Sequence, residues 1–455
     1  MRRALAVLLC IASAACAQGP KVALTIGLLF PQKGGLVTGD LYTNSCNLAL
    51  QHIAEGGGMR GNGQIVFATE DTLTNAAKAS EVLTKLVDER GIKAAIGVSS
   101  GETLSLAGQA PSGAGPTAAS LQTPLLCIGC TAPELDCVSL HLRAFGASGT
   151  GSAASCADPN AGSITRPGYV YRLSESSAAQ GSALAAMALA DAAEAGTPLV
   201  AAALAVASPF GVTLVDQVFK PAVLAANARF VRLATHAIGP ASGEAQTAYE
   251  AAVRAAFDAA VADDPAFGAV NALVVGSFPE HEKLITQAYA ASEKKPALYF
   301  PFTGYSSEVL AVSEQTLVGS KGVTYAVAAG PSPGTFVVDY AAFANVANQQ
   351  VRNSLFVDAA YDAVMMLALA IYATGEEDPS AEDVKRKLDT LNDPNGVVIG
   401  YRQFFQARKA IDAGKTINYQ GVSGALDFDS KNGVKSPLAP WIVAFDGKAP
   451  MFRPL

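Results

Sequence analysis

The stretch KAAIGVSSGETLSLAGQAP, residues 93–111, decides the fold of this chain. An apolar run ends in a turn at residues 99–101, and a helix is predicted to begin at Glu102. The same succession of strand, turn and helix recurs along nearly the whole sequence, because apolar runs alternate with stretches rich in Ala and Leu. This alternation predicts parallel α/β sheets rather than a β-sandwich or a helix bundle.

The predicted elements are numerous enough for two lobes. Strands are predicted near residues 21–29, 64–69, 93–98, 125–129, 168–172, 198–206, 228–236, 271–276, 297–301 and 322–327. Helices are predicted at residues 43–55, 75–89, 177–195, 211–226, 244–262, 280–291 and 354–373. Such a number of parallel strands exceeds what one sheet of a small domain usually holds, so we expect two α/β lobes.

After about residue 400, the alternation of strand-like and helix-like segments stops. The run INYQGVSGALDFDSKNGV predicts a hairpin, and PWIVAFDG predicts a last strand. Within that run, DFDSKNG at residues 427–433 resembles the start of a calcium loop. Lys431 occupies what should be a ligand position there, so a turn with Asn432 and Gly433 at the bend is the prediction.

Composition excludes two classes of protein. The chain has 455 residues, of which 50% are hydrophobic and 16% charged, whereas disordered chains combine low hydrophobicity with high net charge. The formal net charge is -7. Binding to a nucleic-acid backbone requires a basic face, so we expect no nucleic-acid partner.

The N-terminus, MRRALAVLLCIASAACAQGP, has the layout of a secretory signal peptide, predicted to cover residues 1–17. Two processing routes are open: cleavage after Ala17, or cleavage before Cys16 followed by lipidation of its thiol. Either route predicts a periplasmic or otherwise extracytoplasmic protein, and the second adds a lipid anchor.

Five of the seven cysteines follow the leader and its edge, and export permits disulfides. Cys137 and Cys156 bracket an insertion rich in Gly, Ser and Ala, so we predict a bridge between them. Cys127 and Cys130 form a lone C-x-x-C motif. A zinc site needs two further ligands, which the nearby sequence does not supply, so we predict neither a metal nor a cofactor there.

The turn at residues 99–101 is the best candidate site by its chemistry. Its hydroxyls and the free N–H groups of a helix start suit a carboxylate or another acceptor-rich group. Simple N-capping by Ser100 is the competing interpretation, and the two are compatible. Thr131 and the backbone of Cys130 are expected beside Ser99, because both segments follow adjacent strands at one sheet edge.

The same turn also contains the pattern G-x-S-x-G, residues 97–101, which is typical of a serine hydrolase. Such an enzyme would need a histidine downstream, and the candidates are His141, His236 and His281. No oxyanion-loop motif precedes the serine, so we favour a binding protein without catalytic activity and keep the hydrolase as a minor alternative.

Taken together, the segments resemble the type I periplasmic solute-binding proteins of ABC importers, in the branched-chain amino acid and amide-binding branch. The segments that match in family order are IGLLFPQKG (26–34), GGGMRG (56–61), IGVSSGET (96–103), CIGCTAPEL (127–135), YRLSESSAAQG (171–181), SPFG (208–211), FPEHEKLI (278–285), PFTG (301–304) and AAYDAVMMLA (359–368). The resemblance covers nearly the whole chain after the leader.

The resemblance implies two Rossmann-like lobes, each a doubly wound parallel sheet, joined by three hinge crossovers near residues 174, 304 and 437. Lobe 1 would comprise residues 21–174 and 304–436, and lobe 2 residues 175–303 and 437–455. A ligand would be clamped between them. The ligand-binding positions that it implies are Ser99, Ser100, Gly101, Cys130 and Thr131 in lobe 1, Phe210 and Phe278 in lobe 2, and Thr303 and Tyr305 at a crossover.

One departure from the family bears on the ligand. Amino-acid binders present an acidic partner for the ammonium group where this chain has Thr303, and a buried ammonium without a counter-charge is costly. Glu280 is a candidate substitute, and Thr38 replaces a loop aromatic. Among an amino acid, an amide and a small carboxylate, a neutral or carboxylate-bearing molecule is favoured. The implied partner is an ABC permease, or alternatively a sensor ectodomain.

Overall fold

A computed structural model describes residues 22–32, 39–97, 99–108, 115–132, 168–174, 176–239, 245–311, 316–325, 333–352, 354–426, 438–446 and 449–455. The predicted signal peptide, the Cys137–Cys156 pairing and the turn at residues 427–433 lie outside the described residues, as does Thr38.

The first sheet is parallel throughout. Its strands and the helices between them are β1 Ala23–Leu29, α1 Gly39–Glu55, β2 Gln64–Glu70, α2 Ala76–Arg90, β3 Ala94–Gly97, α3 Ser100–Leu106, β4 Leu125–Cys127 and β5 Val170–Arg172. The strand order is β2-β1-β3-β4-β5. The inner strands β3 and β4 and the edge strand β5 are short runs that are buried throughout, whereas the edge strand β2 is partly exposed.

The second sheet has seven strands. Its elements are α4 Ala178–Glu194, β6 Val200–Val206, α5 Pro209–Thr213, α6 Lys220–Ala225, β7 Arg229–His236, α7 Ala245–Ala260, β8 Ala272–Gly276, α8 Pro279–Ala291, β9 Ala297–Phe300, α9 Ser307–Leu310, β10 Lys321–Tyr325, β14 Leu438–Phe445 and β15 Pro450–Pro454. The order is β15-β14-β10-β9-β8-β6-β7, and only β14 and β15 run antiparallel to their neighbours.

The remaining elements complete the first lobe. They are α10 Pro333–Ala344, α11 Asn348–Arg352, α12 Val357–Thr374, α13 Ala381–Leu388, β11 Asn392–Ile399, α14 Phe404–Asp412, β12 Ile417–Gly421 and β13 Gly424–Ala425. Helix α12 is long and apolar enough to cross a membrane by composition, but 83% of it is buried inside the fold, as in the core helices of soluble proteins. Its Asp362 accepts hydrogen bonds from Tyr419, Val422 and Ser423 and so anchors the β12–β13 hairpin.

The α/β prediction is confirmed, and so is the division into two lobes. The ten predicted strands and the hairpin are present in the described residues. The helix predicted over residues 211–226 is interrupted by a π-helical segment, Leu214–Phe219, directly before Pro221, whose ring cannot continue an α-helical hydrogen-bond ladder. The predicted helix ranges do not include α9, α10, α11, α13 and α14.

The second lobe boundary needs correction. The resemblance placed a crossover near residue 304 and assigned the following segment to lobe 1, but β10 pairs in parallel with β9 and antiparallel with β14. The chain therefore leaves the seven-stranded sheet after Tyr325. Gly322 permits this pairing, because a Cβ there would lie 2.2 Å from the Trp441 ring that covers it.

Candidate functional site

A cavity lies where the carboxyl ends of strands from both sheets face each other. About 380 Å³ of empty space lies within it, part of which is open to solvent. The residues that line it are Tyr42, Ser99, Ser100, Gly129, Thr131, Phe210, Phe278, Pro279, Phe302, Thr303, Leu355 and Phe356. Six of the nine predicted site residues are therefore brought together at the position where α/β sheets bind ligands.

The lobe 1 wall is built from two loops that Ser100 ties together. Its Oγ accepts hydrogen bonds from the backbone N–H groups of Thr131 and Ala132, at 3.0 and 3.1 Å. Ser99 Oγ caps helix α3 by accepting from the Glu102 N–H at 3.3 Å. The hydroxyl of Thr131 is buried and has no hydrogen-bond partner among the described residues. Thr131 therefore has a polar group available for a ligand.

Glu102 lies directly behind this wall. It is 3% exposed, and burial raises the pKa of its carboxyl to about 7, while the nearby hydroxyls of Thr72 and Ser99 act in the opposite direction. A carboxyl with this pKa is largely neutral in mildly acidic solution.

The opposite wall is aromatic. The rings of Phe210 and Phe278 stack with centroids 5.9 Å apart and an interplanar angle of 16°. Phe302 lies 5.5 Å from Phe210 and 5.2 Å from Phe356, which extends the ring cluster across to helix α12 of lobe 1. Offset aromatic pairs of this kind give a large apolar surface of defined shape.

Phe356 has a strained backbone. Its φ of 61° places it in the left-handed region, which a bulky residue rarely adopts, at the position just before helix α12. Such strain persists only where the surrounding structure enforces it, and it is common at ligand sites. Sequence analysis missed Phe356 because no local motif distinguishes it. Tyr42 and Leu355 were missed for the same reason, whereas Gly129, Pro279 and Phe302 lie inside matching segments but were not singled out as site residues.

Three predicted site residues do not line the cavity. Gly101 lies against Pro209 of the other lobe, so it contributes to the contact between the lobes. Cys130 is fully buried and disulfide-bonded to Cys127, which the sequence did not predict. Tyr305 stacks on Phe452 at 4.3 Å, within the core of lobe 2.

An acidic side chain that contacts a lining residue on the lobe 2 side is Glu282, two residues after the candidate Glu280. Thr303 Oγ1 donates a hydrogen bond to Glu282 Oε1 at 2.7 Å, and Glu282 is fully buried. Burial raises the pKa of Glu282 well above its usual value, and the neighbouring Glu280 adds to that rise.

In the described part of the chain, Ser99 is not assembled with a histidine as a serine hydrolase would require. His236 Nε2 lies 3.0 Å from Ser277 Oγ, and the His281 ring packs 5.1 Å from His236 in lobe 2. Burial lowers the pKa of both histidines, that of His281 to about 3. No hydrogen bond joins Ser99 to a histidine in the described part of the chain, and His141 lies outside it. The described residues also contain no group of three or more His, Cys, Asp or Glu placed to hold a metal ion.

Comparison with known proteins supports the same fold. A family model described as periplasmic binding protein matches residues 23–131, and one described as receptor family ligand binding region matches residues 274–439. No curated protein matches the chain.

Three solved structures illustrate the similarity. LivJ from Streptococcus pneumoniae, a branched-chain amino acid transporter substrate-binding protein in complex with isoleucine, is 16% identical, with a TM-score of 0.61 over 96% of this chain and 99% of that chain. A periplasmic binding protein type 1 from Bordetella pertussis is 14% identical, with a TM-score of 0.64 over 96% and 100%. An ABC-transporter solute-binding protein from R. palustris, in complex with benzoate, is 18% identical, with a TM-score of 0.61 over 95% and 96%. The resemblance found in the sequence is thus confirmed: the chain has the two-lobed fold of the type I periplasmic binding proteins and is similar to the substrate-binding proteins of ABC transporters.

Proposed function

We propose that this protein is an extracytoplasmic receptor that closes on one small solute between its two lobes and delivers it to an ABC permease. The observation that carries the proposal is the cavity, in which hydroxyl groups of lobe 1 face stacked aromatic rings of lobe 2. The matched family model is that of periplasmic binding proteins, which agrees with the signal peptide predicted from the sequence.

The lining residues indicate the class of ligand. None of the twelve described lining residues is charged, so a ligand's ammonium group would be buried without a direct counter-charge. The hydroxyls of Ser100 and Thr131 suit an acceptor group such as a carboxylate, and the rings of Phe210, Phe278 and Phe302 suit an apolar body. We infer a small carboxylate or amide with an apolar, preferably aromatic, body. The benzoate complex of the R. palustris protein supports this class.

Binding would favour the closed arrangement of the lobes. A ligand shifts an equilibrium between two states only by its difference in affinity for them, and moving from 1:99 to 99:1 takes about 5.5 kcal/mol. A ligand between Thr131 and the Phe210–Phe278 stack contacts both lobes only when they are closed. The closed form would then be the one that docks on the permease.

A ligand screen by thermal shift tests the proposal. Aromatic and aliphatic carboxylates, their amides and free amino acids are compared on the mature protein, because a ligand that binds the native state raises the melting temperature. We expect carboxylates or amides to stabilise the protein, and the double variant Ser99→Ala, Thr131→Ala to lose that response. A matched control, Ser182→Ala with Thr84→Val, removes two hydroxyls that do not line the cavity, on helices α4 and α2, and should keep the response. A double cavity variant that retains full affinity would contradict the site assignment.

Two further experiments distinguish a receptor that delivers solute to a permease from a sensory receptor and from a serine hydrolase. Genes for a permease and an ATPase beside this gene would support delivery, whereas a histidine kinase gene there would support a sensory receptor. A serine-reactive phosphonate should leave Ser99 unlabelled, because its hydroxyl caps helix α3 and no histidine activates it in the described structure. Labelling of Ser99 would favour the hydrolase.

A further inference from the structure

A buried carboxyl group lies directly behind the wall of the cavity. Glu282, in the first turns of α8, is 0% exposed, and its Oε1 is 2.7 Å from the hydroxyl oxygen of Thr303. Thr303 lines the cavity, where the other lining residues of the facing wall are Phe210, Phe278, Pro279 and Phe302. Thr303 is therefore the polar side chain on an otherwise apolar wall.

The contact with Glu282 fixes what Thr303 can offer to a ligand. A hydroxyl group has one proton and two lone pairs, and the proton of Thr303 is directed to Glu282. Only a lone pair remains for the cavity. This holds for an ionised Glu282 and for a neutral Glu282 whose proton lies on Oε2, because Oε1 then accepts the hydrogen bond from Thr303 in both cases.

Ser100, on the opposite wall, can offer a ligand a hydrogen-bond donor where Thr303 offers an acceptor. Its oxygen already accepts two backbone hydrogen bonds, from Thr131 and Ala132, so its remaining capacity is to donate its proton. The cavity thus has a hydrogen-bond donor on the lobe 1 side and an acceptor at Thr303.

We propose that Glu282 is a positioning residue that makes Thr303 an acceptor, so that the cavity selects small aromatic acids carrying an O–H or N–H group on the side away from their carboxylate. This inference rests on the proposed function and narrows its ligand class. A site that accepts from a ligand O–H discriminates strongly against an analogue lacking that proton, because the buried acceptor is then left unpaired.

Binding of four probes by isothermal titration calorimetry tests the proposal: 3- and 4-hydroxybenzoate, and the two corresponding methoxybenzoates, which lack the donor proton. We expect the wild type to bind at least one hydroxybenzoate 10-fold or more tightly than its methoxy counterpart. In Glu282→Leu the Thr303 hydroxyl has lost its acceptor and can donate to the ligand, so the preference should fall to less than threefold. Glu282→Gln retains an acceptor oxygen and should restore the preference. Thr303→Val should abolish it.

The outcomes separate this inference from the proposed function. An unchanged preference in Glu282→Leu, with circular dichroism showing a folded protein, would overturn the role of Glu282 and indicate that the methoxy group is excluded by size. Equal wild-type affinity for both members of each pair would also overturn it. A wild type that binds none of the four probes overturns the ligand class proposed here, while the wider thermal-shift screen still decides whether the protein is a solute receptor.

Discussion

Replacing Thr131 by Val should make the unliganded protein more stable and should weaken its binding of the ligand. Thr131 Oγ1 is buried without a hydrogen-bond partner among the described residues, and an unpaired buried polar group costs about 1 to 3 kcal/mol. The backbone of Thr131 is held independently, by Ser100 Oγ on its N–H and by the Ser177 N–H on its carbonyl. The substitution therefore removes the hydroxyl without releasing the loop.

The two effects have opposite signs and measurable sizes. The free energy of unfolding without ligand should rise by about 1 kcal/mol, since a methyl group replaces the unpaired hydroxyl. Ligand affinity should fall, because a hydrogen bond to a charged group such as a carboxylate contributes about 1.5 to 3 kcal/mol, which is roughly 10- to 100-fold in Kd. Denaturant unfolding and calorimetric titration with the best ligand of the screen measure the two quantities.

The control is Thr84→Val on helix α2, whose hydroxyl donates to the Ser80 carbonyl at 2.8 Å and does not line the cavity. That variant should lose a little stability and leave the Kd unchanged. If Thr131→Val destabilised the unliganded protein by 1 kcal/mol or more, or left the Kd within twofold of the wild type, the hydroxyl would have an internal role and the reasoning would fail.

Three other changes test neighbouring parts of the site. Because the pKa of Glu102 is raised in the folded state, the stability from its neutral form is present below about pH 4.5 and is lost as the pH rises through about 7. Denaturant unfolding should show the wild type losing about 3 kcal/mol relative to Glu102→Gln between pH 4.5 and 8. The same pH dependence of unfolding free energy in both proteins would contradict this. The Cys127–Cys130 bridge closes a four-residue loop, so replacing both residues by Ser should lower the free energy of unfolding by about 2 kcal/mol by the chain-entropy relation. The change should also weaken ligand binding, because Gly129 within the loop lines the cavity. Thiol titration of the wild type checks that the bridge is present. Phe356→Gly should lower ligand affinity by at least fivefold, because the ring lines the cavity. It should destabilise the fold by less than the roughly 3 to 5 kcal/mol of a usual Phe truncation, because glycine adopts the positive φ without strain. An unfolded variant would show instead that the ring holds helix α12 in place.

Much of the fold could be predicted because a buried parallel strand is a continuous apolar run that a single sequence displays. The run VAAALAV of β6 is buried at every position. Which sheet a short strand joins is a different question. The residues of β10 would suit either sheet, and its place in the second sheet depends on β9 beside it and on Trp441, more than a hundred residues later.

The candidate site was predictable where it follows directly from a strand end. Ser99, Thr131, Phe210 and Phe278 each come shortly after a strand, and the carboxyl ends of parallel strands share one edge. Phe356 comes instead from the start of a core helix, and its contact with Phe302 is a tertiary event with no local signal.

The sequence also could not predict which acidic residue, Glu280 or Glu282, contacts Thr303. Both lie in the first turns of α8, two residues apart, so they lie on different faces of the helix. Their sequence neighbourhood is shared, and only the packing of the helix against the Phe302–Gly304 turn decides that Glu282 faces inward to Thr303. Residue type predicted an acid near the cavity, but the helix phase that selects it comes from the tertiary fold.

Under the proposed function, the two walls of the cavity contribute differently to the coupling between ligand binding and closure of the lobes. A ligand can form its hydrogen bonds with Ser100 and Thr131 on lobe 1 alone, since both belong to loops tied together within that lobe. Contacts made equally in the open and closed states do not shift the balance between them. The shift must come from what closure adds, namely burial against the Phe210–Phe278 stack and the hydrogen bond at Thr303. In the proposed receptor, the lobe 1 loops would hold the ligand, and its contacts with the lobe 2 wall would stabilise the closed form that a partner recognises.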